Sequence, residues 1–585
     1  MTRDSSNDGP TPAQGVEGWT GFAMTVFALA VGLILLLDRI GVPLRLVGML
    51  GPCLALLGLG LVGLSARTMR ISRFYAGGRA MPALNMALAA SAMVLALVLP
   101  LLPPSSGPPG LASLLAAAAG GLCLAGLVTG PMLRKSGAFS VIGLLAARFP
   151  NPWLAGLCSL AAAAIAVLVA LAGFGLAADM LALATGLSRS AALVAVAAMV
   201  MLVTVPGGIG GVCWTANGAA GLVLGALLLP LALRLAGHET LPVPVLGDRA
   251  LLLAALERMS AFGNSAAPLA LSPSLIAALA LGLGCLPSLL SLFATLPQPG
   301  KARRAMLTAL AVTGLALAGG LALIAIAING LDHGMVGSKP ELLAPIAYAA
   351  SGRGLLPLCG QDAATAALAR LACASLPGFG GLLRAQDIAP SNFALMLGMT
   401  QSLDPQQALA SIIVAALVAL GLVLAASGVQ SLATLVAHDG LYRGHAPAQT
   451  SRRLAQARLV LIMASAALAA VQLRFVPDPR LMTGAAVLAS AALVAPQLGL
   501  ALWPWASARD ALLAFVAGAI ALAFQAGALQ AGVESAAYAV LLAAGAALAT
   551  GLAASLLHRG PGAGAAFVTA LLRRGPEVLP QDRGA

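Results

Sequence analysis

The chain has 585 residues, 60% of them hydrophobic and 9% charged, with a formal net charge of +13. A soluble domain carries about 25% charged residues. So few charges cannot solvate the surface of a chain this long, which excludes a soluble single-chain enzyme. The mean hydropathy of +0.98 agrees. The basic excess suits a many-span membrane protein, and no nucleic-acid partner is expected. The apolar runs have the length of helices rather than barrel strands, so the predicted class is an all-α polytopic membrane protein in a lipid bilayer.

Residues 1–19 form a polar, turn-rich tail that is too acidic for a signal peptide. Fourteen transmembrane helices are predicted after it, at 20–37, 42–64, 82–100, 109–131, 152–177, 189–206, 211–235, 268–295, 304–329, 406–437, 454–473, 480–501, 507–527 and 533–557. Each approaches the length that crosses ~30 Å of hydrocarbon at about 1.5 Å per residue. Between the seventh and eighth spans, His238, Glu239, Asp248, Arg249, Glu257 and Arg258 surround a short apolar run. That pattern reads as an external loop with an amphipathic helix. Residues 330–405 are too long for a structureless loop and read as one or two short external helices over the bundle, with a pair of extra spans in 342–381 as the alternative. Residues 558–585 form a polar tail with one apolar patch.

Orientation follows from the basic residues. With the N-terminus in the cytoplasm, Arg67, Arg70, Arg73 and Arg79 lie inside, as do Arg134, Lys135 and Arg148, and Lys301, Arg303 and Arg304. Arg443, Arg452, Arg453, Arg458 and Arg509 follow, and then Arg559, Arg573, Arg574 and Arg583 in the tail. Clusters at every second loop are what the positive-inside rule requires. The expected location is the cell inner membrane, with both termini cytoplasmic.

Little in the spans carries chemistry. Cys53, Cys123, Cys158, Cys213 and Cys285 lie in apolar runs and no CxxC occurs, so neither metal nor disulfide chemistry is expected. The five His residues fall at span ends or in loops without a ligand pattern. GGIGG at 207–211 lacks the ending of a phosphate loop and fits a tight turn between two spans. Asp179 closes the fifth span and is the candidate for proton or ion coupling, because an intramembrane carboxylate is costly to bury. Glu534 is a weaker candidate at the start of the last span. Three helix interruptions are expected: Pro82 to Pro100 with Asn85 and Ser91, LALGLGCLPSLLSL at 278–291 around Pro287, and LAASGVQS at 424–431. A small-residue bundle without a catalytic centre points to transport.

Four blocks then resemble the sodium:solute symporter family: FYAGGRAMPALN at 74–85, MLRKSGAFSVIGLLAARF at 132–149, GGIGGVCWT at 207–215 and LGLGCLPSLLSLFATLPQPGKARRA at 281–305. A fifth, LVAHDGLYR at 435–443, is weaker. Among branches, the acetate and monocarboxylate permeases look nearest. The resemblance implies a LeuT-like core of two inverted five-helix repeats, residues 82–235 and 268–501, with 330–405 inserted in the second. Two peripheral helices in 20–64 precede this core, and two C-terminal helices in 507–557 follow it.

It also implies departures. Met86 stands where the family has Gly, Ala92 and Leu95 where it usually has Asp and Ser, and Ala216 where it has Asp. The hydroxyl pair expected in the eighth core helix falls on Val423 and Leu424, or in another register on Ala416 and Leu417. Neither register offers hydroxyls, and sodium must exchange its hydration shell for several oxygens. Ser427 or Ser431 would substitute in a shifted register. No cofactor is expected and sodium coupling is doubtful. The expected function is secondary transport of a small organic solute, a monocarboxylate by resemblance. The expected pathway residues are Asn85, Ser91, Trp214, Thr215, Ser288, Ser291, Ser427 and Gln430. Trp214 also suits an interfacial anchor. The alternative is a transport-inactive scaffold or accessory subunit bound to a membrane-protein partner.

Overall fold

The computed structural model describes residues 44–101, 107–236, 271–343, 345–352, 356–388, 407–440, 450–525, 533–557 and 563–572, with scattered residues of 25–42. Both terminal tails, most of the first span and the helix expected in 236–267 lie outside the described residues, except for Ala563–Leu572, a helix at the apolar patch of the C-terminal tail.

The protein is helical. Among the described residues, ten helices are long and apolar enough to cross a membrane, or eleven if the bent pair Pro273–Gly284 and Pro287–Phe293 is one span. They include α1 (Leu44–Ser65), α2 (Ala83–Val98), α3 (Pro152–Thr185) and α4 (Arg189–Ala236). The two bent segments are α5 (Pro273–Gly284) and α6 (Pro287–Phe293), followed by α7 (Lys301–Met335). Then come α8 (Gln407–Ala433), α9 (Thr450–Arg474), α10 (Pro479–Ala489) and α11 (Val533–Leu557). Ala508–Phe524, at 17 residues, also forms a helix within the expected span 507–527.

Part of the gap from the expected fourteen comes from α4. α4 runs through both the sixth and seventh expected spans, but Gly208 inside it has φ +56° and ψ −140°. A side chain at Gly211 would meet the carbonyl of Val203. In a straight helix those residues stand about 12 Å apart, so the chain doubles back here. Only glycine tolerates this φ and the approach of the Phe74 backbone.

α8 is the central element. It is apolar on every face, and its most apolar turns are buried on all sides. It packs on α3 through backbone contacts. A Cβ on Gly421 would stand 2.6 Å from the Ala177 nitrogen, and one on Gly428 would stand 2.6 Å from the Ala170 nitrogen. Gly173 meets Ala425 from the other side. Gly421 and Gly428 are two turns apart and so share a face. α9, by contrast, is largely open on its outer side.

The arginines that set the orientation also staple helix ends. Arg134 donates to the carbonyls of Leu296 and Pro297, and Arg458 to those of Val205 and Thr68. Arg148 reaches the carbonyls of Ala501, Trp503 and Ala506 and lies 4.6 Å from the Phe149 ring centroid. Burial pulls the Arg148 guanidinium below its usual pKa. These charge-assisted bonds satisfy carbonyls that helix ends and turns leave open.

Residues 336–388 hold two short helices, Pro345–Ser351 and Ala366–Ala374. Both are too short to cross a bilayer, which favours surface helices over extra spans. Cys359 and Cys373 form a disulfide here, which corrects the expectation of no disulfide chemistry. These two cysteines lie in the loop region, outside the apolar runs on which that expectation rested.

The α3–α8 contact predicts a sharp contrast. Gly428→Val forces side-chain atoms into the α3 backbone and is expected to cost at least ~3 kcal/mol or prevent accumulation of folded protein. Gly225→Ala, where nothing lies within 4 Å of the new methyl, is expected to shift stability by less than ~1 kcal/mol. Thermal unfolding in detergent distinguishes the two.

Candidate functional site

The break between α5 and α6 is the starting point, because a broken helix frees backbone carbonyls within the membrane. The two segments differ in direction by 50°. Pro287 opens α6 at a position where a missing N–H costs nothing. At the break, Cys285 N–H turns back to the Gly282 carbonyl at 3.3 Å, and Leu286 N–H to that of Leu283 at 3.3 Å. The Gly284 carbonyl is taken by Thr129 Oγ1 at 2.6 Å, from a π-helical turn at Ala125–Thr129. The neighbouring helix is therefore shaped to hold the break.

The other two expected interruptions are not breaks. α2 is continuous from Ala83 to Val98, with Pro82 just before it and Pro100 in a 3-10 turn after it. LAASGVQS lies inside the unbroken α8. Proline outside a helix does not interrupt it, and buried Ser and Gly fit α8 through close packing rather than unwinding.

A cavity of about 20 Å3 lies beside the start of α6. Ser291 from α6 and Gln430 and Ser431 from α8 line it, with Thr434 just beyond α8 and the rings of Tyr75 and Phe139. A water needs about 10–15 Å3 on this measure, so the space holds one or two. Gln430 is 2% exposed, and neither its amide nitrogen nor its amide oxygen has a hydrogen-bond partner. Ser431 Oγ and Ser288 Oγ are likewise unpartnered. Ser291 donates to the Ser288 carbonyl at 2.6 Å, and Thr434 to the Gln430 carbonyl at 2.9 Å.

One end of the cavity is framed by aromatic rings. His438 stacks 5.1 Å from Tyr75 and 5.0 Å from Phe139. Ser140 donates to the Asp439 carboxylate at 2.5 Å and accepts from Gly143 N–H at 2.8 Å. His438 and Asp439 sit in a second π-helical turn, Thr434–Gly440, where α8 ends.

Of the expected pathway residues, the cavity brings together Ser291 and Gln430, with Ser288 one turn away. The rest are placed elsewhere. Ser91 donates to the Leu88 carbonyl at 2.8 Å, within its own helical turn. Thr215 donates to the Leu59 carbonyl of α1 at 3.4 Å. Trp214 is buried in the hydrophobic core, which is not an interfacial position. Asn85 is half-buried in the first turn of α2. Ser427 donates to the Leu424 carbonyl at 3.0 Å and to Met93 Sδ at 3.3 Å. Tyr75, Phe139 and Thr434 were missed as cavity-lining residues. A signal existed for Thr434: Ser427, Gln430, Ser431 and Thr434 fall at i, i+3, i+4 and i+7, a polar stripe on an apolar helix.

Asp179 is ion-paired with Arg189 at 2.7 Å. Arg189 also donates to the Gln472 carbonyl at 2.7 Å and side-chain oxygen at 2.8 Å, and Gln472 donates to the Leu171 carbonyl at 2.7 Å. This network clamps α3, α4 and α9 together.

The positions that the resemblance assigns to sodium binding carry apolar side chains. Met86, Ala92, Leu95, Val423 and Leu424 are all buried, as are Ala416 and Leu417 in the other register. The continuous α2 engages its own interior carbonyls in helical bonds. These residues do not offer the oxygens a dehydrated cation needs.

The fold is that of a helical-bundle membrane protein with a broken helix. Residues 74–344 match the model of the sodium:solute symporter family, whose members are transporters and not enzymes. Comparison with curated proteins by sequence finds no match. Among solved structures, the chain is similar to a substrate-bound, outward-open Na+-coupled sialic acid symporter, with TM-score 0.62 and 15% identity over 89% of this chain and 98% of that one. It is less similar to a nucleobase-cation-symport-1 family transporter in a closed conformation (TM-score 0.41, 12% identity, 85% and 97% covered). A manganese transporter of Eremococcus coleocola gives 0.35 at 14% identity, with 83% and 92% covered. The first likeness is one of fold.

The Thr129 bond to the break is testable. Thr129→Val removes the hydroxyl and leaves the Gly284 carbonyl buried without it, at an expected cost of about 1–3 kcal/mol. Thr129→Ser is expected to retain most of the stability. Thermal midpoints of the three proteins read the difference.

Proposed function

We propose that this protein is a secondary transporter of a small organic solute that works without the family's usual sodium site. The observation that carries the reading is the α5–α6 break beside a small cavity lined by Ser291, Gln430 and Thr434. A transporter needs such a polar station between helices able to change their packing. The fourteen spans and the 5+5 inverted repeat, 82–235 against 268–501, belong to the same proposal. The doubled-back α4 and the bent α5–α6 pair support it, because each raises the helix count towards the expected number. Sodium coupling is not carried over from the similar sialic acid symporter, because apolar side chains fill the positions that the resemblance assigns to sodium. The monocarboxylate class finds no cationic side chain among the cavity-lining residues, which weighs against it. Asp179 is proposed as part of a structural clamp, since its carboxylate is engaged by Arg189.

A specific observation favours a second reading. Met86, Leu95 and Leu424 fill the centre of the bundle, at 0%, 1% and 0% exposure. That is the packing expected of a transport-inactive scaffold or accessory subunit. Uptake into proteoliposomes, with and without an inward sodium gradient, decides between the readings. The expected result is solute uptake that changes less than ~2-fold with the gradient. Sodium-driven accumulation would overturn the coupling proposal. No uptake, together with a stoichiometric partner on mild purification, would establish the scaffold.

The proposed orientation places both termini in the cytoplasm, in a cell inner membrane. The Cys359–Cys373 disulfide supports it, because disulfides persist in oxidising compartments outside the cytoplasm, and the arginine clusters lie on alternate loops away from it. Arg303→Cys and Arg452→Cys are expected to label from the cytoplasmic side with an impermeant maleimide, and Lys339→Cys from the opposite side. All three positions are exposed.

A further inference from the structure

The adjoining ends of α1 and α9 gather arginines that no acidic side chain neutralises. Arg458 of α9 donates to the Thr68 carbonyl at 2.8 Å and lies 3.6 Å from Met69 Sδ, which ties the turn after α1 to the start of α9. Arg67 and Arg70 flank that turn, and Arg452 lies in the first turn of α9. All three are exposed, and among the described residues their side chains have no hydrogen-bond or ion-pair partner. No Asp or Glu occurs between Asp38 and Asp179, nor between Asp439 and Asp478. Asp439 is itself buried and bonded to Ser140.

Next to these charges the helix surfaces face hydrocarbon. On α9, Arg452, Ala455, Leu459 and Met463 fall at i, i+3, i+7 and i+11 and are all exposed, so one stripe runs from the charge into the span. On α1, Leu57, Leu61 and Leu64 form a second exposed stripe that ends just before Arg67. Acyl chains cover such stripes, and a cation at the end of one stands at the level of the lipid headgroups. There the guanidinium fork matches a phosphate in two hydrogen bonds. A zwitterionic headgroup brings its own cation, which the arginines repel. A free phosphate ion gains nothing from the stripes. The positive-inside rule accounts for arginines on one face of the membrane, but not for unpaired ones held together on two helix ends.

We propose that the joined ends of α1 and α9 bind an anionic glycerophospholipid, its phosphate drawn to Arg67, Arg70 and Arg452 and its acyl chains lying along the two apolar stripes. The site shares no residue with the cavity beside α6 and stands whether or not the protein moves a solute.

The test is native mass spectrometry of the purified, delipidated full chain in detergent, titrated with phosphatidylglycerol or with phosphatidylcholine of the same acyl chains. The tightest-bound phosphatidylglycerol is expected to exceed phosphatidylcholine in affinity by at least ~10-fold. The double variant Arg67→Ala, Arg452→Ala is expected to lose at least ~10-fold of that affinity, about fivefold for each arginine. Its lipid-free thermal midpoint is expected to match the parent's, because neither side chain bonds to the rest of the fold. Arg452→Ala alone, expected to lose about fivefold, serves if the double variant fails to fold. Arg303→Ala removes the same charge from an exposed position at the start of α7 and is expected to bind as the parent does. Equal affinity for the two lipids, or affinity unchanged in the Arg67 and Arg452 variants, would overturn the site. So would an equal loss in Arg303→Ala, which reports net charge alone, or displacement of the lipid by millimolar inorganic phosphate, which reports an anion site without a lipid.

Discussion

The contact between the α3 and α8 backbones constrains everything else in the bundle. Gly173, Gly421 and Gly428 let the two helices meet at main-chain distance. In a membrane, apolar side chains gain little by leaving lipid for protein, so association depends on packing and hydrogen bonds. Small residues make that packing dense. Once α8 is held this closely against α3, its other faces are covered by α1, α2, α4 and α9 in turn, and any polar group it carries must find a partner or a cavity.

That constraint explains where polarity survives. In the middle of α8, Val423 and Leu424 are apolar and the Ser427 proton is spent on its own turn and on Met93. Towards the end of the helix, Gln430 and Ser431 keep unpaired atoms beside the start of α6. The continuous α2 and the broken α6 complete the contrast. α2 closes its carbonyls in regular helical bonds, while the α5–α6 break leaves the Gly284 carbonyl to Thr129 of a neighbouring helix.

The helices were legible because a membrane demands about 20 apolar residues per crossing, and runs such as 152–177 and 406–437 show it directly. The reversal within α4 was legible from GGIGG, since only glycines allow chains so close. Helix breaks were less legible. Proline marks where a helix can end, but whether Pro82 caps a helix and Pro287 follows a bend depends on neighbours the sequence does not place together. The same limit applies to hydroxyls. Ser91 and Ser427 are as polar as Ser291, yet only the last faces a cavity, because rotation about the helix axis decides it. Asp179 looked like an isolated buried charge until Arg189, ten residues on across a helix turn, closed on it. Cys359 and Cys373 were overlooked as a pair because attention fell on the cysteines in the spans.

The Cys359–Cys373 bridge closes a loop of 14-residue sequence separation using contacts found within its own segment. Short loops close fast. In the proposed orientation, this covalent knot can tighten during synthesis once its segment has crossed the membrane. At that moment the central helix α8, which lies later in the chain, is still being made. In that orientation, the bridge can close before α8 is complete.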